Sequence, residues 1–187
     1  MACSHHICDP LPSLGAGVDR IFEGDPAPTD CFENLVSVVT EKVVAKKGAG
    51  RLVPWISKDW GIDEEDYRVI VCDPRKQSTE LHTAIKDLHA GLPKDIKDRL
   101  YFINADTPAE NRRWMKKNGL KNVEIYCDSE EKDWMRSYTA LGDKRWSMTM
   151  FVISRGRVVK LARELDVYNT ARTVLNAVKA MKSEQSL

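Results

Sequence analysis

The chain has 187 residues, of which 42% are hydrophobic, enough for one ordinary domain with a buried core. Its 29 lysines and arginines balance its 28 aspartates and glutamates, so charge gives no argument for nucleic acid or an anionic membrane surface as a partner. The longest apolar runs are far shorter than a bilayer span, and the N-terminus lacks the features of a secretory signal. We therefore expect no nucleic-acid partner and no membrane insertion.

The cysteines indicate the redox environment. There are five, at Cys3, Cys8, Cys31, Cys72 and Cys127. An odd number spread this thinly is not typical of a secreted disulfide framework. The sequence therefore predicts an intracellular reducing compartment, the cytoplasm.

The first part of the chain has no clear periodicity. Residues 1–30 are rich in proline and glycine, which predicts an irregular N-terminal arm before a domain over residues 31–187. Residues 31–60 fit helical and strand spacing equally well, with a short edge strand expected over residues 52–56.

From residue 67 onward the pattern is regular. Short apolar runs predict strands covered on both faces, and the segments between them have helical spacing. The strands are expected over residues 69–72, 100–103, 123–127 and 148–153. Arg155 and Gly156 then form a tight turn into a further strand over residues 158–161, and a last helix follows. The order β-α-β-α-β-α-β-β-α predicts a layered α/β domain with a mainly parallel sheet.

Capping residues mark where three of these helices begin. Thr107 and Glu110 form a capping box around Pro108, which sits at the first helical position. Asp128 and Asp166 are expected to cap the next helix and the last one.

Three segments carry a family resemblance. Residues 24–28 read Gly-Asp-Pro-Ala-Pro, residues 150–159 form the late strand-turn-strand, and residues 165–167 open the last helix. Together they resemble the thioredoxin superfamily, in its peroxiredoxin branch of alkyl hydroperoxide reductases and thiol-specific antioxidants. The resemblance implies a thioredoxin-like three-layer sandwich, closed by a C-terminal hairpin and helix, and it implies no cofactor.

The chain departs from this family at the reactive loop. The family places its cysteine in a Pro-x-x-x-Thr/Ser-x-x-Cys segment at a helix start, which here gives Pro74, Ser78 and Leu81. An alternative alignment places Gln77 at the cysteine position. Neither side chain can become a thiolate, and there is no Cys-x-x-Cys. Arg145 is a weak candidate for the arginine that the family sets beside its thiolate.

Two other thiols lie near the usual reactive site. Cys72 ends the first central strand, and Cys31 follows the arm, so both are weak catalytic candidates, although a structural cysteine is the simpler interpretation. Cys72 and Cys127 are expected two strand spacings apart, about 10 Å, which is too far for a disulfide.

The remaining candidates are histidines, tryptophans and the N-terminal thiols. Cys3, His5, His6 and Cys8 are candidate zinc ligands by residue type, but adjacent histidines rarely converge with two thiols in so tight a loop. His82 and His89 are expected in solvent. Loop tryptophans fit an interaction surface or, equally well, a small satellite core under a long loop, and the candidates are Trp55, Trp60 and Trp146.

Two functional hypotheses follow. In the first, the chain is a non-catalytic peroxiredoxin-like module that docks into a larger protein assembly. In the second, it is a divergent thiol oxidoreductase that uses Cys72 or Cys31. A third hypothesis, a small-molecule-binding domain that uses the former peroxide pocket, also stays open.

Overall fold

A computed structural model describes residues 20–28, 31–32, 35–39, 67–128, 130–140 and 146–185. These residues form six strands and five helices. The strands are Val36–Ser37 (β1), Tyr67–Asp73 (β2), Leu100–Asn104 (β3), Glu124–Cys127 (β4), Thr149–Ser154 (β5) and Arg157–Ala162 (β6). The helices are Thr79–Gly91 (α1), Lys94–Lys97 (α2), Pro108–Lys117 (α3), Asp133–Ser137 (α4) and Thr170–Gln185 (α5).

The strands form a single sheet in the order β1-β4-β3-β2-β5-β6. The α/β architecture and the closing hairpin with its C-terminal helix agree with the sequence-based prediction. The sheet itself is mixed rather than mainly parallel. Only β2–β3 and β3–β4 pair in parallel, because the β5–β6 hairpin joins antiparallel to β2 and the short β1 joins antiparallel to β4.

Two cores lie on the two faces of the sheet. Alternate residues of β2 point to opposite faces, so Val69 and Val71 enter the first core whereas Ile70 and Cys72 enter the second. Buried side chains of α1 and α5 fill the first core, and α3 packs against it. The second core holds α4 together with apolar residues that precede β1. Helices α1 and α3 share a face because successive right-handed crossovers advance in one direction, from β2 to β3 to β4.

Helix α3 begins where the sequence predicts. Thr107 accepts a hydrogen bond from the Glu110 N–H, and the Glu110 carboxylate accepts one from the Thr107 N–H in return, with Pro108 at the first helical position. Asn118 is the C-cap, and Gly119 follows with a φ of +64°. The capping box is confirmed.

Helices α4 and α5 begin later than the aspartates expected to cap them. The Asp128 carboxylate does accept bonds from the Trp134 and Met135 N–H groups, at 3.1 and 2.9 Å, although α4 starts only at Asp133. Asp166 instead closes a turn by accepting from the Tyr168 N–H at 3.0 Å, so α5 starts four residues later.

Residues 22–27 cover the outer edge of β6. The Gly24 N–H donates to the Val158 carbonyl at 2.7 Å, and the Val158 N–H donates to the Asp25 carbonyl at 3.0 Å. The Ala27 N–H donates to the Gly156 carbonyl at 2.8 Å. These bonds pair part of an edge strand that would otherwise be free to associate.

Only part of the ambiguous stretch can be compared with the structure. Within residues 31–60, the structure places the two-residue strand β1, and the edge strand expected over residues 52–56 lies outside the described residues. None of the helices described is long and apolar enough to cross a membrane.

Candidate functional site

The loop between β2 and α1, where the resemblance places a reactive cysteine, contains an ion pair between a buried aspartate and a partly exposed arginine. Asp73 is fully buried at the end of β2 and accepts bonds from the Arg75 guanidinium at 2.9 and 2.5 Å. It also accepts from the Ser78 hydroxyl at 2.6 Å. Arg75 donates to Glu80 as well. Hydrogen bonding to Asp73 raises the pKa of Arg75, so this guanidinium stays charged.

Helix α1 starts directly from this network. Ser78 is its N-cap, and the Ser78 oxygen accepts from the Leu81 N–H at 3.1 Å. Leu81 is 1% exposed and belongs to the first core, whereas the Gln77 side chain is exposed. The two positions that the alignments offer for the nucleophile therefore hold a core leucine and a surface amide. Neither supplies nucleophilic chemistry.

Cys72, the first candidate thiol, is fully buried in the second core. Its Sγ donates to the Thr149 carbonyl at 3.5 Å. Burial raises the pKa of this thiol well above its ordinary value, and the neighbouring Asp73 charge raises it further. Cys72 is thus a protonated, inaccessible thiol at neutral pH.

Cys127 and Cys31 likewise form no disulfide bond. Burial raises the pKa of Cys127 to about 11. Its side chain lies in the first core and that of Cys72 in the second, with β3 between their strands, in agreement with the prediction that they do not pair. Cys31 is half-buried, and its Sγ donates to the Pro28 carbonyl at 3.8 Å.

The structure corrects one predicted binding residue and does not describe several others. Trp146, a candidate for the interaction surface, is instead 5% exposed and packs in the second core, because burial of its large apolar indole stabilises the fold. This outcome agrees with the alternative that the sequence left open. The other candidates lie outside the described residues: Arg145, Trp55, Trp60, Cys3, His5, His6 and Cys8. The part of the chain described here contains no group of three or more side chains that could hold a metal ion.

A pocket that the sequence did not predict lies between α1 and α3. Its volume is about 340 Å³, and it lies beside the loops that follow the parallel strands β2 and β3. Ligands of α/β proteins bind in crevices at this end of the sheet. The lining residues are Gln77, His82, Asp106, Glu110, Arg113, Trp114 and Lys117.

An aromatic stack forms one wall of this pocket. The His82 imidazole lies against the Trp114 indole, with ring centroids 4.2 Å apart and planes 12° apart. The prediction that His82 is exposed is therefore wrong, since only 19% of its side chain is accessible. Burial lowers the pKa of His82, with a further lowering from Lys86, so the imidazole is neutral at pH 7.

Asp106 supplies a buried carboxylate at the same place. It is 4% exposed, and its Oδ1 accepts from the Gln77 N–H at 2.6 Å. Its Oδ2 lies 3.5 Å from the Asn104 amide nitrogen and 3.8 Å from His82 Nε2. Burial raises the pKa of Asp106. The sequence analysis missed this site, although Asn104 and Asp106, at the end of an otherwise apolar strand and just after it, are a signal that could have indicated it.

A buried amide pair holds the loop that carries Asp106. Asn104 at the end of β3 and Asn111 on α3 exchange two side-chain hydrogen bonds, at 2.8 and 3.0 Å. Asn111 also donates to Cys127 Sγ at 3.3 Å. This pair fixes the start of α3 against the sheet, so the wall of the pocket is preorganised.

Comparison with known proteins identifies the fold. No protein-family model matches the chain, and no curated protein matches it. Among solved structures, a cysteine-to-serine mutant of PrxQ from Xylella fastidiosa matches with a TM-score of 0.62 and 16% identity, over 87% of this chain and 98% of that one. A peroxiredoxin-like protein from Aquifex aeolicus matches with a TM-score of 0.56 and 18% identity, over 86% and 88%.

A third match is AhpC from Mycobacterium tuberculosis, with a TM-score of 0.53 and 16% identity over 87% of this chain and 95% of that one. Identities this low establish the fold alone. The chain has a thioredoxin-like fold of the peroxiredoxin-like kind, as the motifs in the sequence predicted.

Proposed function

We propose that this chain is a non-catalytic module of peroxiredoxin-like fold that binds a protein partner within a larger assembly. The observation that carries the proposal is the loop between β2 and α1. Residues 73–81 contain no cysteine, and Asp73 accepts hydrogen bonds there from Arg75 and Ser78. A loop without a thiol cannot attack a peroxide.

The buried thiols support the same proposal. A thiol reacts as its thiolate and must be accessible. Cys72 and Cys127 are buried, and burial raises the pKa of both. None of the three described cysteines forms a disulfide bond, which supports a reducing compartment, and we place the module in the cytoplasm.

The N-terminal region supports the interaction half of the proposal. Phe22 is 62% exposed, at the start of the segment that covers β6. An exposed aromatic side chain of this size is typical of contact surfaces. The arm before it and the loop residues Trp55 and Trp60 are further candidates from the sequence alone.

The alternative function is a divergent thiol oxidoreductase. Cys31 favours it, because this thiol is only half-buried. Cys72 has the weaker claim, since the positive charge of Arg163 lowers its pKa only as a minor effect against burial.

The test compares hydrogen peroxide consumption, with dithiothreitol as reductant, by the wild type and by a cysteine-free variant of the full chain. Equal rates are expected. A wild-type rate well above the control, together with rapid alkylation of one thiol at pH 7, would establish the oxidoreductase instead. A separate measurement tests the assembly. In size-exclusion chromatography of a native extract, the chain is expected to elute at a mass above the 21.2 kDa of the single chain. Elution as a lone chain would refute the assembly.

A further inference from the structure

The pocket between α1 and α3 has the size of a small-molecule site. Its 340 Å³ lies within the usual range for ligand pockets, and it sits where α/β folds commonly bind ligands. Trp114 and His82 give it a flat, rigid wall. The Asn104–Asn111 amide pair holds the adjoining loop.

The base of the pocket has polar atoms with unused hydrogen-bonding capacity. Asp106 Oδ2 has one long contact, to the Asn104 amide at 3.5 Å. Among the residues described, none hydrogen-bonds to the His82 imidazole, and its Nε2 is 3.8 Å from Asp106 Oδ2, too far for a direct bond. A ligand hydroxyl fits this pair, because it can donate to the carboxylate while its oxygen accepts from the imidazole N–H.

The rim of the pocket is cationic. Arg113 and Lys117 stand four residues apart on one face of α3, next to Trp114. Neither has an ion-pair or hydrogen-bond partner within the described part of the chain. The nearby Glu110 carboxylate is already engaged by the Thr107 N–H and hydroxyl, both at 2.8 Å. The two cations are therefore available to an anionic group on a ligand.

We propose that this pocket binds a small hydroxylated anion, a molecule that carries a hydroxyl group next to a carboxylate or a phosphate. The hydroxyl lies between Asp106 and His82, and the anionic group lies between Arg113 and Lys117. Binding at this site does not depend on whether the chain has thiol chemistry, since no cysteine lines the pocket.

The test is a titration of the ¹⁵N-labelled full chain, followed by the Gln77 amide and the Trp114 indole N–H. Four probes separate the parts of the proposal: glycerol 3-phosphate, glycerate, inorganic phosphate and glycerol. Saturable shifts of both reporters are expected with glycerol 3-phosphate or glycerate, and whichever binds more tightly identifies the anionic group. Inorganic phosphate and glycerol each lack one half of the ligand and are expected to bind at least about tenfold more weakly.

Matched variants assign the site. Lys117→Gln and Arg113→Gln are each expected to weaken binding by about tenfold, the value of one charge-assisted contact. Lys116→Gln changes an exposed neighbour on the same helix that does not line the pocket, and is expected to leave the affinity unchanged. The proposal is overturned if none of the probes shifts both reporters, or if Lys116→Gln and Lys117→Gln weaken binding equally. Peroxide consumption does not enter this test, so its outcome and that of the proposed function are independent.

Discussion

At the scale of single residues, burial acts in opposite directions on the pKa values of His82 and Asp106. It lowers that of the imidazole and raises that of the carboxyl, which favours the neutral form of each group. By contrast, Asp73 keeps its charge partner Arg75 within hydrogen-bonding distance. Two buried carboxyl groups at the same end of the sheet thus have different environments.

The opposite shifts in the pKa values of His82 and Asp106 predict how the stability of the fold depends on pH. The folded-state pKa of His82 lies below its ordinary value of 6.5, so below pH 6.5 the unfolded chain binds the proton more readily. The free energy of unfolding should fall as pH falls through 6.5, by at most about 1.4 kcal/mol per pH unit from this group. Asp106 acts with the opposite sign, and its effect is confined to pH values between 3.8 and its raised pKa.

Urea unfolding of the wild type and of His82→Gln at pH 7.5 and pH 6.0 measures this effect. The variant is expected to lose less stability over the interval than the wild type. His89→Gln, on the same helix but outside the pocket, is the control and should keep the wild-type dependence. Parallel pH profiles for all three proteins would contradict the assignment to His82.

At the scale of elements, the β5–β6 hairpin depends on its two turn residues. Arg155 and Gly156 have φ values of +51° and +68°, the conformation of the tight two-residue turn that matches strand twist. The sequence predicted this turn because glycine adopts positive φ without steric cost.

Alanine at two glycines should have opposite effects on stability. Gly156→Ala is expected to lower the free energy of unfolding by about 1 kcal/mol, because alanine is strained at positive φ. Gly91→Ala, at the last residue of α1, is expected to be neutral or to stabilise by up to about 1 kcal/mol, since its Cβ would meet Ala171 Cβ at an ordinary 3.4 Å. Urea unfolding of both variants checks the pair. Equal losses of stability in the two variants would show that the added side-chain volume, rather than the backbone conformation, determines the effect.

At the scale of the whole molecule, Arg163 joins parts of the chain that are far apart in sequence. Its guanidinium donates to the Ile21 carbonyl at 2.8 Å, to the Thr139 hydroxyl at 3.3 Å and to the Thr139 carbonyl. The Ile21 N–H also donates to the Thr139 hydroxyl at 3.0 Å. These bonds hold the N-terminal segment in place over the second core and the edge of β6.

Loss of the Arg163 contacts should loosen that segment while the sheet stays folded. In Arg163→Lys, the amides of residues 21–27 and of Val158 are expected to exchange hydrogen at least about tenfold faster, because an ammonium cannot reach all three acceptors. Arg157→Lys, which replaces a single bond to the Gly24 carbonyl at 2.7 Å, is the control and should change exchange little. Faster exchange throughout the sheet would instead show that Arg163 supports the whole fold.

Much of this protein was determined by local sequence. The order of strands and helices after residue 67, except for the short helix α2, was predicted, as were the Thr107 capping box and the hairpin turn, because each depends on residues a few positions apart. The absence of a cysteine from residues 73–81, which carries the proposed function, is also a property of the sequence alone.

Only the tertiary structure decided what comes together from distant segments. Trp146 is buried, His82 stacks on Trp114, and Asp106 pairs with the loop before α1, although each residue looked polar or exposed in its own segment. The mixed sheet is another feature that only the tertiary structure decided, since the direction in which β5 pairs with β2 depends on the path of the whole chain. Hydrophobic periodicity reports which face of one element is buried, whereas burial of loop residues and the pocket itself depend on contacts between elements.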